Sequence, residues 1–497
     1  MAASSPQAGP APMPIEQVID HLVVVMLENR SFDTMLGWLY PDGEAQPARQ
    51  VPAGPAARAF DGLHAELWNP RNPGFFRGDP PKKIFISRGA ADTTIPDPDP
   101  LEDFNNVTEQ LYGQGQAASQ TPAFPNLGFA VNYLGAAADA DPAEIMEAYS
   151  PQQLPVLSGL ARSFAVCDAW FSSVPTDTWP NRAFLHAGTS NGNVVNGDPV
   201  DPARWNVKTI FETLEEIGVS WKVYCDTLLT PPLTLLMFPR LARYAFDRFA
   251  HFDAFKKDCA AGRLPRYSFL EPSFLDHPND QHPPHDVVAG EQFLYAIWQA
   301  VSQSPKWSRT LLLITYDEHG GTYDHAMPPW GAACPDAASD PGQEGFGFDR
   351  FGVRVPAVAA SPWIAPGTVF RSDREAPYDH ASIAATLRDW LKIPAERMPP
   401  SQRIAMAPTL GQLLTEERPR SAPAIPAPAL EIRGTSLFLP PNDLQRSLIA
   451  AQAARSGDDP QQTLSGIKTR EEAARYFRSK GPTPQAQSAA RDLPGPA

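Results

Sequence analysis

HLVVVMLENRSFDTMLGWL, residues 21–39, begins with an unbroken apolar run, Leu22 to Leu27, that gives way directly to Glu28, Asn29 and Arg30. Such a run predicts a strand buried on both faces, as in an open α/β sheet. Ligands of those sheets collect at the carboxyl ends of the strands, where Glu28 and Asn29 fall. A carboxylate beside an amide suits a hard cation. The same residues also suit a plain capping role for a helix starting near Ser31, and the segment alone leaves both readings open.

A second segment of this kind is TLLLITYDEHGGTYDH, residues 310–325. Leu311 to Thr315 reads as another buried strand, ending in Asp317 and Glu318 and followed by the Gly320-Gly321 turn. If the two strands are parallel neighbours, Glu28, Asn29, Asp317 and Glu318 converge on one sheet edge. Acidic donors that close repel one another unless a cation lies between them.

The 497 residues are read as one large α/β domain grown by loop insertion, with a tail. Residues 1–17, rich in Ala, Pro and Ser, are expected to be disordered; 18–400 form the main domain, 401–440 a Pro-rich linker, and 441–497 a helical segment with a disordered end. There are 41 basic against 56 acidic residues, net −15, without a Lys/Arg cluster, which argues against nucleic acid and against electrostatic membrane binding. No apolar stretch approaches the roughly 18 residues a transmembrane helix needs. The start MAASSPQAGPAPMPIEQ has no Sec-signal pattern, so the chain is expected to be cytoplasmic or exported by another route. Cys167, Cys225, Cys259 and Cys334 lack a CxxC spacing and are read as reduced, mostly buried thiols.

Between the two strands, residues 41–100 are crowded with Pro, Gly and Asp and are read as a long surface excursion over the proposed site. A helix is expected over Asp103–Tyr112, with Glu102 just before it. PTDTWPNRAF, residues 175–184, places Thr178 in a Pro-bracketed turn ahead of a helix starting near Asn181. A helix N-terminus there favours a phosphate, while a simple cap by Asp177 or Thr178 explains the residues equally well. Three histidines, His277, His282 and His285, lie in nine residues of loop before a helix over Val287–Val301, and are read as site residues. Pro356–Ala360 is expected to be the last core strand, with Asp379-His380 opening the helix Ser382–Leu391. A capping box at Thr469 and Glu472 starts a late helix that stops before Gly481, with disorder expected beyond Pro482.

With ENRSFD at 28–33, TxPNR at 178–182, HPPHD at 282–286 and YDEHGGxYDH at 316–325, the chain resembles the phosphoesterase family of non-haemolytic phospholipases C and related acid phosphatases, over roughly Val18 to Leu391. The resemblance implies an alkaline-phosphatase-like fold, a mostly parallel sheet sandwiched between helices. It implies Glu28, Asn29, Asp317 and Glu318 as ligands of a divalent metal, whether calcium, zinc or magnesium, and Thr178 as nucleophile. His285 would touch the phosphoryl or leaving oxygen, with weaker roles for His325 and His380. Asn181, Arg182, His282 and Glu102 would line the substrate site. The implied substrate is a phospholipid or a small phosphate ester, a diester in the phospholipases and a monoester in the phosphatases. One departure is Glu102, where the phospholipases have a histidine; a carboxylate there repels a phosphate unless it binds a second cation or points away.

Overall fold

The computed structural model describes residues 12–53, 60–196, 204–434 and 436–491. Among the described residues nine strands form one sheet: β1 His21–Leu27, β2 Arg49–Val51, β3 Ala165–Cys167, β4 Trp221–Cys225, β5 Phe249–His251, β6 Tyr267–Glu271, β7 Thr310–Tyr316, β8 Ala357–Ala360 and β9 Thr368–Phe370, in the order β2-β9-β3-β8-β7-β1-β6-β4-β5. Every pairing is parallel except those of β8, which runs against both β7 and β3. The central strands β1 and β7 are buried along their whole length. Their apolar side chains therefore need cover on both faces, and helices supply it.

The helices used below are α1 Phe32–Leu36, α2 Phe104–Tyr112, α3 Pro155–Ser163, α4 Thr178–Ala187, α5 Ile210–Glu216, α6 Val287–Ser302, α7 Ala381–Leu391, α8 Asp443–Ser456 and α9 Arg470–Ser479. Helix α3 packs on α6, and α4 packs on both α7 and α5. Among the described residues no helix is long and apolar enough to cross a membrane. All four cysteines are free, three of them buried.

Several expectations need correction. Pro356–Ala360 is not the last core strand, because β9 follows it and joins β3 to β2. Residues 1–11 and 492–497 lie outside the described residues, but the ordering expected to begin at 18 begins earlier. Ile15–Val18 is a helical turn, and the Met13 N–H donates to the Leu414 carbonyl at 2.7 Å. At the other end Pro484–Arg491 is helical. Nor is the break near residue 400 a break in packing: Leu410, Leu413, Leu444, Leu448, Ile449 and Phe477 are buried in the same hydrophobic cluster as β1 and β7. Pro-rich composition marked a change of texture, and the leucines after it still found the core.

Candidate active site

β1 and β7 pair in register from His21↔Thr310 to Leu27↔Tyr316, so the residues after each strand emerge side by side. Glu28, Asn29, Asp317 and Glu318 all show no accessible surface. Asn29 adopts φ +50°, a left-handed conformation that asparagine tolerates better than most residues, and its N–H donates to Asp317 Oδ1 at 2.9 Å. Gly320 closes the other side at φ +58°, where a Cβ would lie 2.2 Å from the Asn29 carbonyl oxygen. That approach requires glycine. The capping alternative is excluded for Glu28 and Asn29: the N-cap of α1 is Ser31, whose hydroxyl accepts from the Thr34 N–H.

Thr178 is the first residue of α4, three positions earlier than expected. Pro180 does not prevent this, because a proline in the first helical turn gives up an N–H that has no intrahelical acceptor. Neither capping alternative holds here. The Asp177 side chain makes no cap hydrogen bond, and its Oδ2 accepts from the Asn196 N–H at 3.0 Å. The fully buried Thr178 hydroxyl lies 3.2 Å from both Glu28 Oε2 and Asn29 Oδ1, its two acceptors. Asn181 binds Val174, Thr176 and Asp177 of the preceding turn, its Oδ1 accepting and its Nδ2 donating, so it shapes the Thr178 turn and has no group left for a substrate. Arg182, also fully buried, is ion-paired with Glu28 and donates to the Met26 carbonyl.

The charge balance of this cluster is incomplete. Glu28, Asp317 and Glu318 have one guanidinium, Arg182, directly paired with Glu28, while Asp317 Oδ2 and Glu318 Oε1 are buried without a donor. Burial pushes the Glu28 carboxyl well above its ordinary range against the pull of Arg182, with Asp317 adding to the rise. Burial and Asp317 likewise push Glu318 up. Two buried oxygens without donors, beside the Asn29 amide, fit a divalent cation, and the donors being all oxygen fits calcium or magnesium better than zinc.

The histidines divide. His285 is buried, with Nδ1 2.7 Å from Asp280 Oδ1 and Nε2 3.3 Å from Gln445 Nε2. Burial lowers its pKa and favours the neutral ring. Its two nitrogens are thus both engaged within the protein, contrary to the phosphoryl contact expected for it. His282 places Nε2 3.1 Å from Asp443 Oδ1 and 3.9 Å from Glu102 Oε1. Glu102 reaches the main cluster directly, its Oε1 accepting from Asn29 Nδ2 at 2.8 Å. His380 donates from Nε2 to the Asp317 carbonyl at 2.5 Å and accepts from Trp170 Nε1, which holds the backbone of a candidate ligand in place. His277 is a correction: it is exposed on the loop and away from this cluster.

His325 belongs to a second group. Its Nδ1 lies 2.6 Å from Asp33 Oδ2, and Arg354 donates to Asp33 Oδ1 and Asp324 Oδ1, both at 2.9 Å. None of its hydrogen bonds reaches the Thr178 cluster, so the catalytic role expected of it has no geometric support. The spacing of Asp33, Asp324 and His325 would suit a metal, but Arg354 already supplies the cation between the two carboxylates. Burial pushes Asp324 up to about 7 even with Arg354 against it, while the same acids hold the guanidinium above its ordinary range. The 2.9 Å geometry favours the ion pair.

Sequence reasoning did not single out Asp443, Gln445, Asp99 or Asp280. Asp443 opens α8 and, with Glu102, Asp103, Asp177, Asn196 and Arg446, lines a cavity of about 280 Å³ beside Thr178. The capping box at Asn442 and Gln445 was a readable signal for the start of α8, but nothing local says that this start docks on the site.

With this geometry established, comparison with known proteins adds three findings. The family model described as the Phosphoesterase family matches residues 19–394. Non-specific phospholipase C3 of Arabidopsis thaliana is 32% identical, covering 95% of this chain and 91% of the relative, and phospholipase C A of Mycobacterium tuberculosis is 29% identical, covering 79% and 76%. A solved protein of the alkaline phosphatase superfamily from Vibrio parahaemolyticus aligns at TM-score 0.31 and 13% identity, covering 49% of this chain and 62% of that one. The matched segment carries Glu28, Thr178, Asp317 and Glu318, and on it the chain belongs to the Phosphoesterase family, hydrolases acting on phosphoric ester bonds.

Proposed function

We propose that the protein is a metal-dependent, phospholipase C-like enzyme that hydrolyses the phosphodiester of a phospholipid on its glycerol side. Thr178 is its nucleophile, and a divalent cation is held by Glu28, Asn29, Asp317 and Glu318. The observation that carries this reading is that the buried Thr178 hydroxyl takes no part in capping its helix and points to Glu28 and Asn29. The named relatives, phospholipases C, support the substrate class.

In this scheme Thr178 Oγ1 attacks phosphorus, the bond to the glycerol oxygen breaks, and that oxygen leaves with a proton as diacylglycerol. Water then cleaves the phospho-threonine and releases the phosphorylated head group. The hydroxyl proton leaves towards Glu28 Oε2, 3.2 Å away. Glu28, Asn29, Asp317 and Glu318 would hold the cation, which would supply Lewis-acid polarisation of the phosphoryl oxygens. Arg182 orients Glu28, Asn181 fixes the Thr178 turn, and His380 holds the Asp317 backbone.

The phospholipase C relatives favour a diester over the monoester of an acid phosphatase. A panel of phosphatidylcholine, a chromogenic phosphodiester and the matching monoester, each with and without chelator, tests this. The diesters should turn over faster and lose turnover on chelation. Faster monoester hydrolysis would establish the phosphatase reading, and indifference to chelator would remove the cation.

A further inference from the structure

We propose a second divalent-cation site, built by Asp99, Glu102, His282 and Asp443 and occupied by a cation that accepts mixed nitrogen and oxygen donors, of the Mn²⁺ or Zn²⁺ class. It is distinct from the cluster at Glu28 and Asp317, and it joins the loop before α2, the histidine loop and the start of α8.

Three observations converge on it. One donor atom from each of Asp99, His282 and Asp443 lies within 4.8 Å of the others. Donors around a single ion at about 2.3–2.6 Å stand no more than about 5 Å apart, so no large rearrangement is needed. Next, Glu102 lies beside them, Oε1 3.9 Å from His282 Nε2, with its side chain only 5% exposed and its Oε2 buried without any donor; Asp99 Oδ1, 3.5 Å from His282 Nδ1, has no hydrogen-bond donor either. A buried carboxylate oxygen facing other carboxylates with no donor is costly unless a proton or a metal meets it.

The third observation is the charge count. Asp99, Glu102, Asp177 and Asp443 face one another here. Against them, acting on Asp99, stand the guanidiniums of Arg470 from α9 and of Arg30, while Arg446 is exposed at the cavity rim and His282, as a ligand, is a neutral ring. Arg182 is ion-paired with Glu28 of the other cluster. Four carboxylates against two guanidiniums leave a surplus that one divalent ion removes. The imidazole among the donors is what separates the expected metal from the all-oxygen site next door.

The site also assigns work to α8. Asp443 is its first residue, and with Asn196 Nδ2 3.3 Å from its second carboxylate oxygen it is aimed at the cavity beside Thr178. A cation at this point neutralises the residue that otherwise repels a phosphate on the Glu102 side, and it ties the C-terminal helices to the reacting centre.

The test is metal analysis of the full chain equilibrated with Mn²⁺, read beside thermal unfolding. The parent should retain about two Mn²⁺ per chain, and Asp443→Ala and Glu102→Gln about one each. Asp317→Ala should also retain about one, held at the second site. Mn²⁺ should raise the unfolding temperature of Asp317→Ala, and should cease to do so when Asp443→Ala is added. Because the proposal is separable from the Thr178 reading, the failures differ. Asp443→Ala and Glu102→Gln binding as much Mn²⁺ as the parent would overturn the second site, leaving those acids to protons and His282 alone. Metal unaffected by Asp317→Ala but lost in Asp443→Ala would instead overturn the first site.

Discussion

Two groups of buried acids leave the same pair of chain segments, and they have opposite electrostatic fates. Asp33 and Asp324 stand a few residues beyond Glu28 and Asp317, and they meet Arg354 and His325 in close contacts that answer nearly every oxygen. Glu28, Asp317 and Glu318 are just as fully buried but share one directly paired guanidinium, with two oxygens left bare. Residue types alone do not separate a structural ion-pair node from a reacting centre; pairing does. The balanced group pins α1 to the loop after β7. The unbalanced group is left to bind something, and the Thr178 hydroxyl sits against it.

The comparison is broken most severely by removing the balancing cation. Replacing Arg354 by Met leaves Asp324 buried without its cation and Asp33 with His325 alone, and should destabilise the fold by about 3–5 kcal/mol in denaturant unfolding. Chelator should not change that loss, because this group uses a guanidinium in place of a metal. A variant within 1 kcal/mol of the parent would show that the pair is worth no more than a surface ion pair.

A smaller effect with a definite pH dependence comes from His325. Asp33 outweighs burial and raises the imidazole to about 10, above its ordinary value near 6.5. The group therefore binds more protons folded than unfolded between those values. Its stabilisation is fully present below about 6.5 and is lost as pH rises through about 10. His325→Gln should cost about 1.5–3 kcal/mol at neutral pH, the usual value of a charge-assisted hydrogen bond, and almost nothing above pH 10. Equal loss at both ends would mean that the ring is neutral and serves only as packing. Turnover per folded molecule should change little, which separates this group from the one at Thr178.

The parts of this architecture that sequence displays are local. β1 and β7 announce themselves because strands covered on both faces are apolar throughout, and the acids after them stand out by contrast. The capping boxes at Thr209 and Thr469 mark α5 and α9 for the same reason. Thr178 was misplaced by one turn because Pro180 reads as a helix boundary although the first turn accepts it. The roles of His277 and His325 were misjudged for a different cause: histidine density says nothing about which carboxylate each ring meets. Asp443 was invisible because its contact with His282 spans 161 positions and depends on how α8 docks. Long-range docking of a helix start leaves no periodic signature.

The central claim is that Thr178 attacks phosphorus, and the most direct measurement compares Thr178→Ala with Thr178→Ser for turnover of a chromogenic phosphodiester, both variants shown to be folded. Thr178 caps nothing, so its loss removes only its contacts with Glu28 and Asn29, about 1–3 kcal/mol of stability. The account predicts that the serine variant, which keeps a hydroxyl beside Glu28 Oε2 and Asn29 Oδ1, retains measurable turnover. The alanine variant should lose several orders of magnitude, as removal of a nucleophile does. Retention of about a tenth of parental turnover by Thr178→Ala, about 1.4 kcal/mol of barrier, would contradict it and make water the attacking group.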